Sequence, residues 1–231
     1  MSTSPARSVV LLGATGLVGS ACLPHLAALY DRVVILTRRT VAGPLAPNVE
    51  QHMVDLAVPA TYERYLAVDH VVCALGTTMR KAGSRERFYE VDFSYPYEVS
   101  RRALRQGASH FMLVSSAGAN PNAWAFYSRV KGELEVALRM LGYRSLSLLR
   151  PSVLGGSRQE FRPAETVGKH LMRFLPLRYR TIEPQTLAAA LARIAHMDLV
   201  GVRTYESDDL QRLGGHAELA PASEVLIAAR I

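Results

Sequence analysis

The start of the chain contains the pattern that most constrains the fold: an apolar run that leads into three evenly spaced glycines. Residues 9–12 read Val-Val-Leu-Leu, and Gly13, Gly16 and Gly19 follow at intervals of three residues. The run predicts a buried strand and the segment after it has a helical pattern, so a tight strand–turn–helix unit is expected. Backbone N–H groups at a helix N-terminus attract an anion such as a pyrophosphate. The spacing differs from Gly-x-Gly-x-x-Gly, so alone it also fits a turn that binds nothing.

Strand-like and helix-length segments alternate along the rest of the chain. Pro24 and Pro96 are expected to bend their helices, and Gly107 and Gly142 to end theirs. Such alternation predicts an α/β fold with a doubly wound parallel sheet of the Rossmann type, whose ligands bind at the carboxyl ends of the strands. The predicted strands are 8–12, 32–37, 49–54, 70–74, 111–114, 145–149 and 202–205, and the predicted helices are 16–30, 85–106, 122–141, 164–174 and 184–196.

The length of 231 residues predicts a single nucleotide-binding domain. Within it, residues 1–150 are expected to form the dinucleotide-binding core. Residues 151–231 are expected to form a small, irregular C-terminal part that covers the substrate. The stretch 155–180, rich in Arg and Pro, is expected to lie over the cleft.

Composition narrows the classes of function. The chain is 49% hydrophobic and 20% charged, with a net charge of +7 whose basic residues are mostly interleaved with acidic ones. Acidic small ligands are therefore expected rather than nucleic acid, and no stretch is long enough to span a membrane. Cys22 and Cys73 lie in apolar surroundings and predict buried thiols in a cytoplasmic protein. The seven histidines show no metal-ligand spacing, so no metal site is expected.

A second pattern combines a helix with the end of a strand. Tyr127 and Lys131 lie one helical turn apart, and Ser115 and Ser116 follow the predicted strand 111–114. An ammonium beside a phenol favours the phenolate, which suits a general acid or base in hydride transfer at a carbonyl. A serine hydroxyl can orient the same carbonyl oxygen. Alone, the Tyr-x-x-x-Lys spacing also describes an exposed helix face.

In their joint order these motifs resemble the short-chain dehydrogenase/reductase superfamily over nearly the whole chain. The similarity is greatest to its atypical branch, which is related to Tat-interacting-protein-like oxidoreductases and to NAD-dependent epimerases and dehydratases. The matching segments are residues 13–19, 55–56, 74–76, 91–92 and 115–116, Tyr127 with Lys131, and residues 150–156.

The resemblance implies roles for individual residues. Ser116, Tyr127 and Lys131 match the catalytic residues, with Ser116 preferred over Ser115 by a close choice. Asp92 is a departure, since the wider superfamily often has Asn there, and this puts a proton relay through that position in doubt. The implied cofactor contacts are Gly13, Thr15, Gly16, Leu17, Val18 and Gly19 at the pyrophosphate, Asp55 and Leu56 at the adenine, Ala74, Leu75 and Gly76 at the end of the fourth strand, Tyr127 and Lys131 at the ribose, and Pro151 and Val153 beside the nicotinamide.

The end of the second strand indicates the type of cofactor. NAD sites usually have a carboxylate there that binds the ribose 2′-hydroxyl, whereas an arginine suits a 2′-phosphate. This chain has Arg38 and Arg39 and no carboxylate, which favours NADP over NAD, with Arg38 as the first contact. Both could also be solvated surface residues.

The sequence thus predicts an NADP(H)-dependent oxidoreductase that transfers a hydride to or from a carbonyl or quinone-like small molecule. Two alternatives stay open: an epimerase or dehydratase that recycles its cofactor internally, and a nucleotide-sensing regulator with little turnover. The expected partner is a small-molecule substrate, with no nucleic acid and no membrane, and a homodimer is an open alternative to a monomer.

Overall fold

The computed structural model describes residues 7–155 and 181–215. Within them, seven strands form one fully parallel sheet in the order β3-β2-β1-β4-β5-β6-β7. The order runs in opposite directions from β1 and from β4, as in doubly wound folds. The predicted Rossmann-type α/β fold is therefore confirmed. The strands are β1 (Ser8–Leu12), β2 (Arg32–Thr37), β3 (Val49–Met53), β4 (His70–Cys73), β5 (His110–Val114), β6 (Ser145–Arg150) and β7 (Gly201–Glu206).

Helices connect the strands and cover both faces of the sheet. Pro24 lies inside the first helix, which nevertheless runs from Leu17 to Leu29. Two short 3₁₀ turns, Pro59–Thr61 and Glu63–Tyr65, precede β4. The helices are α1 (Leu17–Leu29), α2 (Met79–Ala82), α3 (Arg85–Tyr89), α4 (Tyr95–Arg105), α5 (Phe126–Arg139), α6 (Pro184–Met197) and α7 (Ser207–Gly215).

The sheet separates two hydrophobic cores, because alternate residues of each strand point to opposite faces. Leu11 and its same-face neighbours pack with α1 and α6. Val10 and the residues of the other face pack with α4 and α5. The five central strands are buried on both sides, and β1, β2 and β4 accordingly read as mostly apolar runs in the sequence.

The predicted helix 85–106 is confirmed as one continuous helical segment over residues 85–105. It consists of α3, a π-helical turn over Glu90–Ser94, and α4, with no break between them. Pro96 follows the π-helical turn directly, and the bend expected there stays a prediction. The helix predicted over 122–141 begins only at Phe126, after turns.

The C-terminal segment contributes to the sheet. Strand β7 pairs with β6, and α6 packs against α1 and α7. The predicted helix 164–174 and nearly all of the predicted cover 155–180 lie outside the described residues. Among the described residues, no helix is long and apolar enough to cross a membrane.

Candidate nucleotide-binding and catalytic site

A cleft of about 720 Å³ opens at the carboxyl ends of β1, β2, β4 and β5. It lies beside the change of direction between β1 and β4, where doubly wound sheets bind their ligands. Most of the residues predicted for cofactor and catalysis line it: Gly13, Thr15, Gly16, Leu17, Val18, Arg38, Arg39, Leu56, Ala74, Leu75, Gly76, Tyr127 and Lys131. Residues distant in sequence therefore share one cavity.

The glycine turn is packed too closely for side chains. Gly13 has a φ of +85°, and a Cβ there would lie 2.5 Å from the carbonyl oxygen of Ala74 at the end of β4. A Cβ on Gly19 would collide with the backbone of Gly13. Gly19 thus lets α1 approach β1, and it does not itself line the cleft. The N–H of Gly16 donates to the carbonyl of Gly13 over 2.8 Å, closing the turn.

The N-terminus of α1 suits an anion. Gly16 is the N-cap, no side chain caps the helix, and its first turn contains no acidic residue. The first amides of a helix lack intrahelical acceptors, and the helix dipole adds partial positive charge there. The residues present therefore fit a pyrophosphate held by backbone N–H groups.

The end of β2 carries Arg38 and Arg39, which are exposed and line the same cleft. Gln51, on the neighbouring strand β3, fixes this segment. Its Nε2 donates to Thr37 Oγ1 over 2.7 Å and to the carbonyl of Arg39 over 3.0 Å. The sequence offered no signal for Gln51, because its contacts depend on the pairing of β2 with β3.

The two residues predicted at the adenine lie in different positions. Leu56 lines the cleft as an apolar wall, together with Val54, which the sequence gave no role. Asp55 does not line it. Its carboxylate Oδ1 instead accepts a hydrogen bond from the N–H of Ala57 over 2.9 Å within its own loop. The apolar neighbours of Asp55, rather than its charge, face the cleft.

A buried ion pair lies next to the catalytic candidates. Lys131 Nζ is 2.7 Å from Asp92 Oδ1, and the two side chains are 4% and 0% exposed. The other carboxylate oxygen of Asp92 accepts the N–H of Thr77 over 2.8 Å. Asp92 comes from the π-helical turn Glu90–Ser94, an irregularity that is frequent at functional sites. Asp92, which departs from the superfamily's usual Asn, thus connects Lys131 to the loop after β4.

The pair keeps Lys131 charged. Burial by itself would lower the pKa of Lys131, but Asp92, with a further contribution from Tyr127, raises it above its ordinary value. Tyr127 is 40% exposed, and its ring contacts that of Phe88 edge to face. A charged ammonium and a phenol, one helical turn apart on α5, therefore line the same cleft.

The two serines occupy different environments. Ser115 lines the cleft, and its Oγ donates to Glu135 Oε1 over 2.6 Å. Glu135 is also bound by both Arg150 Nε and Nη2. Ser116 does not line the cleft, and its Oγ donates to the carbonyl of Ala117 over 3.2 Å. The assignment of Ser116 as the catalytic serine stays a prediction, because the hydroxyl nearest the cleft is that of Ser115.

The residues after β6 lie near this serine loop. The carbonyl of Pro151 accepts the N–H of Ala117 over 2.9 Å. Pro151 is buried and Val153 is 46% exposed, but neither lines the cleft. Leu154 does, although the sequence gave it no role.

The parallel sheet, the glycine turn and the Tyr–Lys pair define a Rossmann-type nucleotide-binding protein of the atypical short-chain dehydrogenase/reductase class. More narrowly, the chain belongs to the NAD dependent epimerase/dehydratase family, whose model matches residues 9–125. The predicted family is thereby confirmed, and with it an NAD(P)-type cofactor.

Two curated relatives illustrate the family. The chain is 36% identical to Protein HTATIP2 of Rattus norvegicus over 175 residues, which are 74% of this chain and 72% of that protein. It is 33% identical to the mitochondrial protein fmp52 of Emericella nidulans over 170 residues, covering 70% and 73% of the two chains.

Solved structures show the same fold at lower identity. A UDP-glucose 4-epimerase of Thermotoga maritima in complex with UDP-glucose superposes with a TM-score of 0.66 at 14% identity, covering 92% of this chain and 84% of that one. The uronate dehydrogenase of Agrobacterium tumefaciens gives a TM-score of 0.66 at 16% identity, with coverage of 86% and 75%.

Proposed function

We propose that the chain is an NADP(H)-dependent enzyme that transfers a hydride to or from a carbonyl or quinone-like small molecule. One observation carries the proposal: the glycine turn, the arginines after β2 and the Tyr127–Lys131 pair all line one cleft. Arg38 and Arg39 support NADP, because a guanidinium can bind a 2′-phosphate through two hydrogen bonds.

The residues divide the work of such a reaction. The bound nicotinamide supplies or accepts the hydride. The amides at the N-terminus of α1 hold the pyrophosphate, and Lys131 offers its ammonium to a ribose hydroxyl. The Tyr127 phenol exchanges a proton with the substrate oxygen, acting as general acid in reduction and as general base in oxidation. A serine hydroxyl after β5 orients that oxygen.

A second candidate is an epimerase or dehydratase that returns the hydride within one catalytic cycle. The family match favours this candidate over net redox chemistry. The solved neighbours include both kinds, an epimerase and a dehydrogenase. Both candidates require the same nucleotide site and the same tyrosine, and they differ only in whether the hydride leaves with the product.

Replacing Tyr127 by Phe tests whether the chain is an enzyme. The variant is expected to bind NADPH like the unchanged protein in calorimetry while losing turnover at least 100-fold, the scale of general acid–base catalysis. Tyr65, which does not line the cleft, provides the matched control: Tyr65→Phe should keep full activity. Unchanged turnover in Tyr127→Phe contradicts the proposal, and no turnover by the unchanged protein on a broad panel of carbonyls, quinones and nucleotide sugars favours a nucleotide sensor.

Isotope transfer separates the two enzyme candidates. With NADPH deuterated at the transferred position, a reductase places deuterium in its product and consumes the cofactor. An epimerase or dehydratase leaves added NADPH unconsumed and converts its substrate without net oxidation.

The proposal also covers the partners, the location and the oligomeric state of the enzyme. We expect a small-molecule substrate, no nucleic-acid or membrane partner, and a cytoplasmic location, although the fmp52 relatives are described as mitochondrial. Sedimentation of the purified chain distinguishes a monomer from the homodimer.

A further inference from the structure

A cluster of two histidines and an aspartate lies at the opposite end of the sheet from the cleft. His70 and His110 are the first residues of β4 and β5 and face each other in register. Asp198 follows α6 and precedes β7. The two imidazoles are 2% and 0% exposed. One nitrogen of each histidine and one oxygen of the aspartate lie within 4.8 Å of one another.

The inward-facing atoms are spaced like metal ligands. His70 Nε2 lies 3.6 Å, and His110 Nδ1 3.0 Å, from Asp198 Oδ1. Around a tetrahedral zinc with bonds near 2.1 Å, ligand atoms are about 3.4 Å apart. His110 Nδ1 and Asp198 Oδ1 pair with each other, and in the described part of the chain neither atom has a further hydrogen-bond partner. These two buried atoms and His70 Nε2 therefore border the same small space.

The outward-facing nitrogens complete the resemblance to a metal site. His70 Nδ1 is 2.7 Å from the Tyr30 hydroxyl, and His110 Nε2 is 2.9 Å from Ser147 Oγ. Metal-binding histidines typically donate their second N–H to such a partner, which leaves the other nitrogen free to bind. Burial lowers the pKa of both histidines, that of His70 to about 4.

The surrounding charges set the expected strength of binding. Arg144 pairs with the other oxygen of Asp198, and Arg7 is 3.5 Å from His70 Nδ1, so two guanidinium groups oppose a cation. The C-terminal carbonyls of α6 act in the opposite direction, although Arg7 already donates to one of them, that of Ala195. The affinity should therefore be lower than that of a dedicated structural zinc site.

We propose that His70, His110 and Asp198 bind a divalent transition-metal ion of the zinc class, with water as the fourth ligand. Two imidazoles and one carboxylate suit zinc or cobalt better than magnesium or calcium. The ion would tie the starts of β4 and β5 to the connection between α6 and β7. This site is independent of the nucleotide cleft.

Titration with Zn²⁺ and with Co²⁺ tests the proposal on the full chain purified without a histidine tag. We expect one ion per chain, visible d–d bands typical of four-coordinate Co²⁺, and a higher melting temperature with Zn²⁺. His110→Ala and Asp198→Asn should weaken Zn²⁺ binding at least 100-fold. Ser147→Ala, which removes the outer hydrogen-bond partner of His110, should weaken it about 10- to 100-fold.

Matched controls keep the outcome interpretable. A variant in which the other five histidines, His25, His52, His170, His196 and His216, are replaced by Gln should bind the ion as the unchanged chain does. Every ligand variant that folds by circular dichroism should bind NADPH normally, so failure here leaves the proposed function untouched. Absence of Co²⁺ bands, or Zn²⁺ affinity that Ser147→Ala and Asp198→Asn leave unchanged, would overturn the proposal.

Discussion

The two ends of the parallel sheet bury charged groups in different ways. At the carboxyl end, Lys131 and Asp92 form an ion pair beneath a cleft, and the neighbouring helix N-terminus has no side-chain cap. At the amino end, His70 and His110 are held by Tyr30 and Ser147, and Arg144 pairs with Asp198. The comparison indicates that the carboxyl end keeps donors available for a ligand, whereas the amino end uses its polar groups to connect elements of the fold.

The largest expected effect comes from Lys131→Met at the carboxyl end. Removing the ammonium leaves Asp92 charged and buried, and breaking a buried pair in this way costs about 3–5 kcal/mol. The free energy of unfolding, measured by urea denaturation, should fall by that amount. Arg32→Ala breaks the half-exposed Arg32–Glu50 pair and should cost no more than about 1 kcal/mol. Equal losses of unfolding free energy in the two variants would show that burial does not make the Lys131–Asp92 pair more important for stability than a half-exposed pair.

The next effect distinguishes two glycines that both have positive φ. Gly13→Ala places a methyl group against the backbone of Ala74, an overpacking that costs about 1–3 kcal/mol. It also forces alanine into a left-handed conformation, at roughly 1–2 kcal/mol. Gly107→Ala has only the second cost, because nothing lies within 4 Å of its added Cβ. We expect Gly13→Ala to be the less stable variant and to lose NADPH binding, as thermal melts with and without nucleotide can show.

A smaller effect tests the selectivity of the cleft. Arg38→Ala removes charge-assisted hydrogen bonds worth about 1.5–3 kcal/mol, so NADPH affinity should fall about 10- to 100-fold. NADH affinity should stay the same, because NADH lacks the 2′-phosphate. Calorimetry with both nucleotides provides the measurement. Equal binding of NAD and NADP by the unchanged chain, together with no effect of Arg38→Ala, would remove the NADP assignment.

The smallest effect is expected at the amino end. Tyr30→Phe removes one buried hydrogen bond to His70 and should cost about 1 kcal/mol in the free energy of unfolding. NADPH affinity should not change. A loss of nucleotide binding in this variant would mean that the two ends of the sheet are coupled, contrary to the comparison.

The sequence predicted what depends on local pattern. Gly13, Gly16 and Gly19 indicated the turn because their spacing is a local steric requirement, and Tyr127 with Lys131 indicated one helix face. Partners brought together by folding left no such signal. The ion pair of Lys131 with Asp92, the contact of Gln51 with Thr37 and the approach of His70 to Asp198 all depend on which elements of the fold become neighbours.

The π-helical turn that the sequence did not predict has a similar physical origin. The segment 85–106 has helical propensity throughout, so periodicity alone could not reveal the π-helical turn at Glu90–Ser94. Asp92 lies in that turn and contacts Lys131 from it. This contact depends on the tertiary structure and not on local helical propensity.

Gly76 lies between the cleft and the buried ion pair of Lys131 with Asp92. A methyl group at this position would be in ordinary contact with both charged atoms, 3.6 Å from Asp92 Oδ1 and 3.8 Å from Lys131 Nζ. Steric crowding in the protein alone therefore does not demand glycine here. Because Gly76 has no side chain, a molecule in the cleft can contact Asp92 and Lys131 directly. Even an alanine at this position would partly cover the two charged groups.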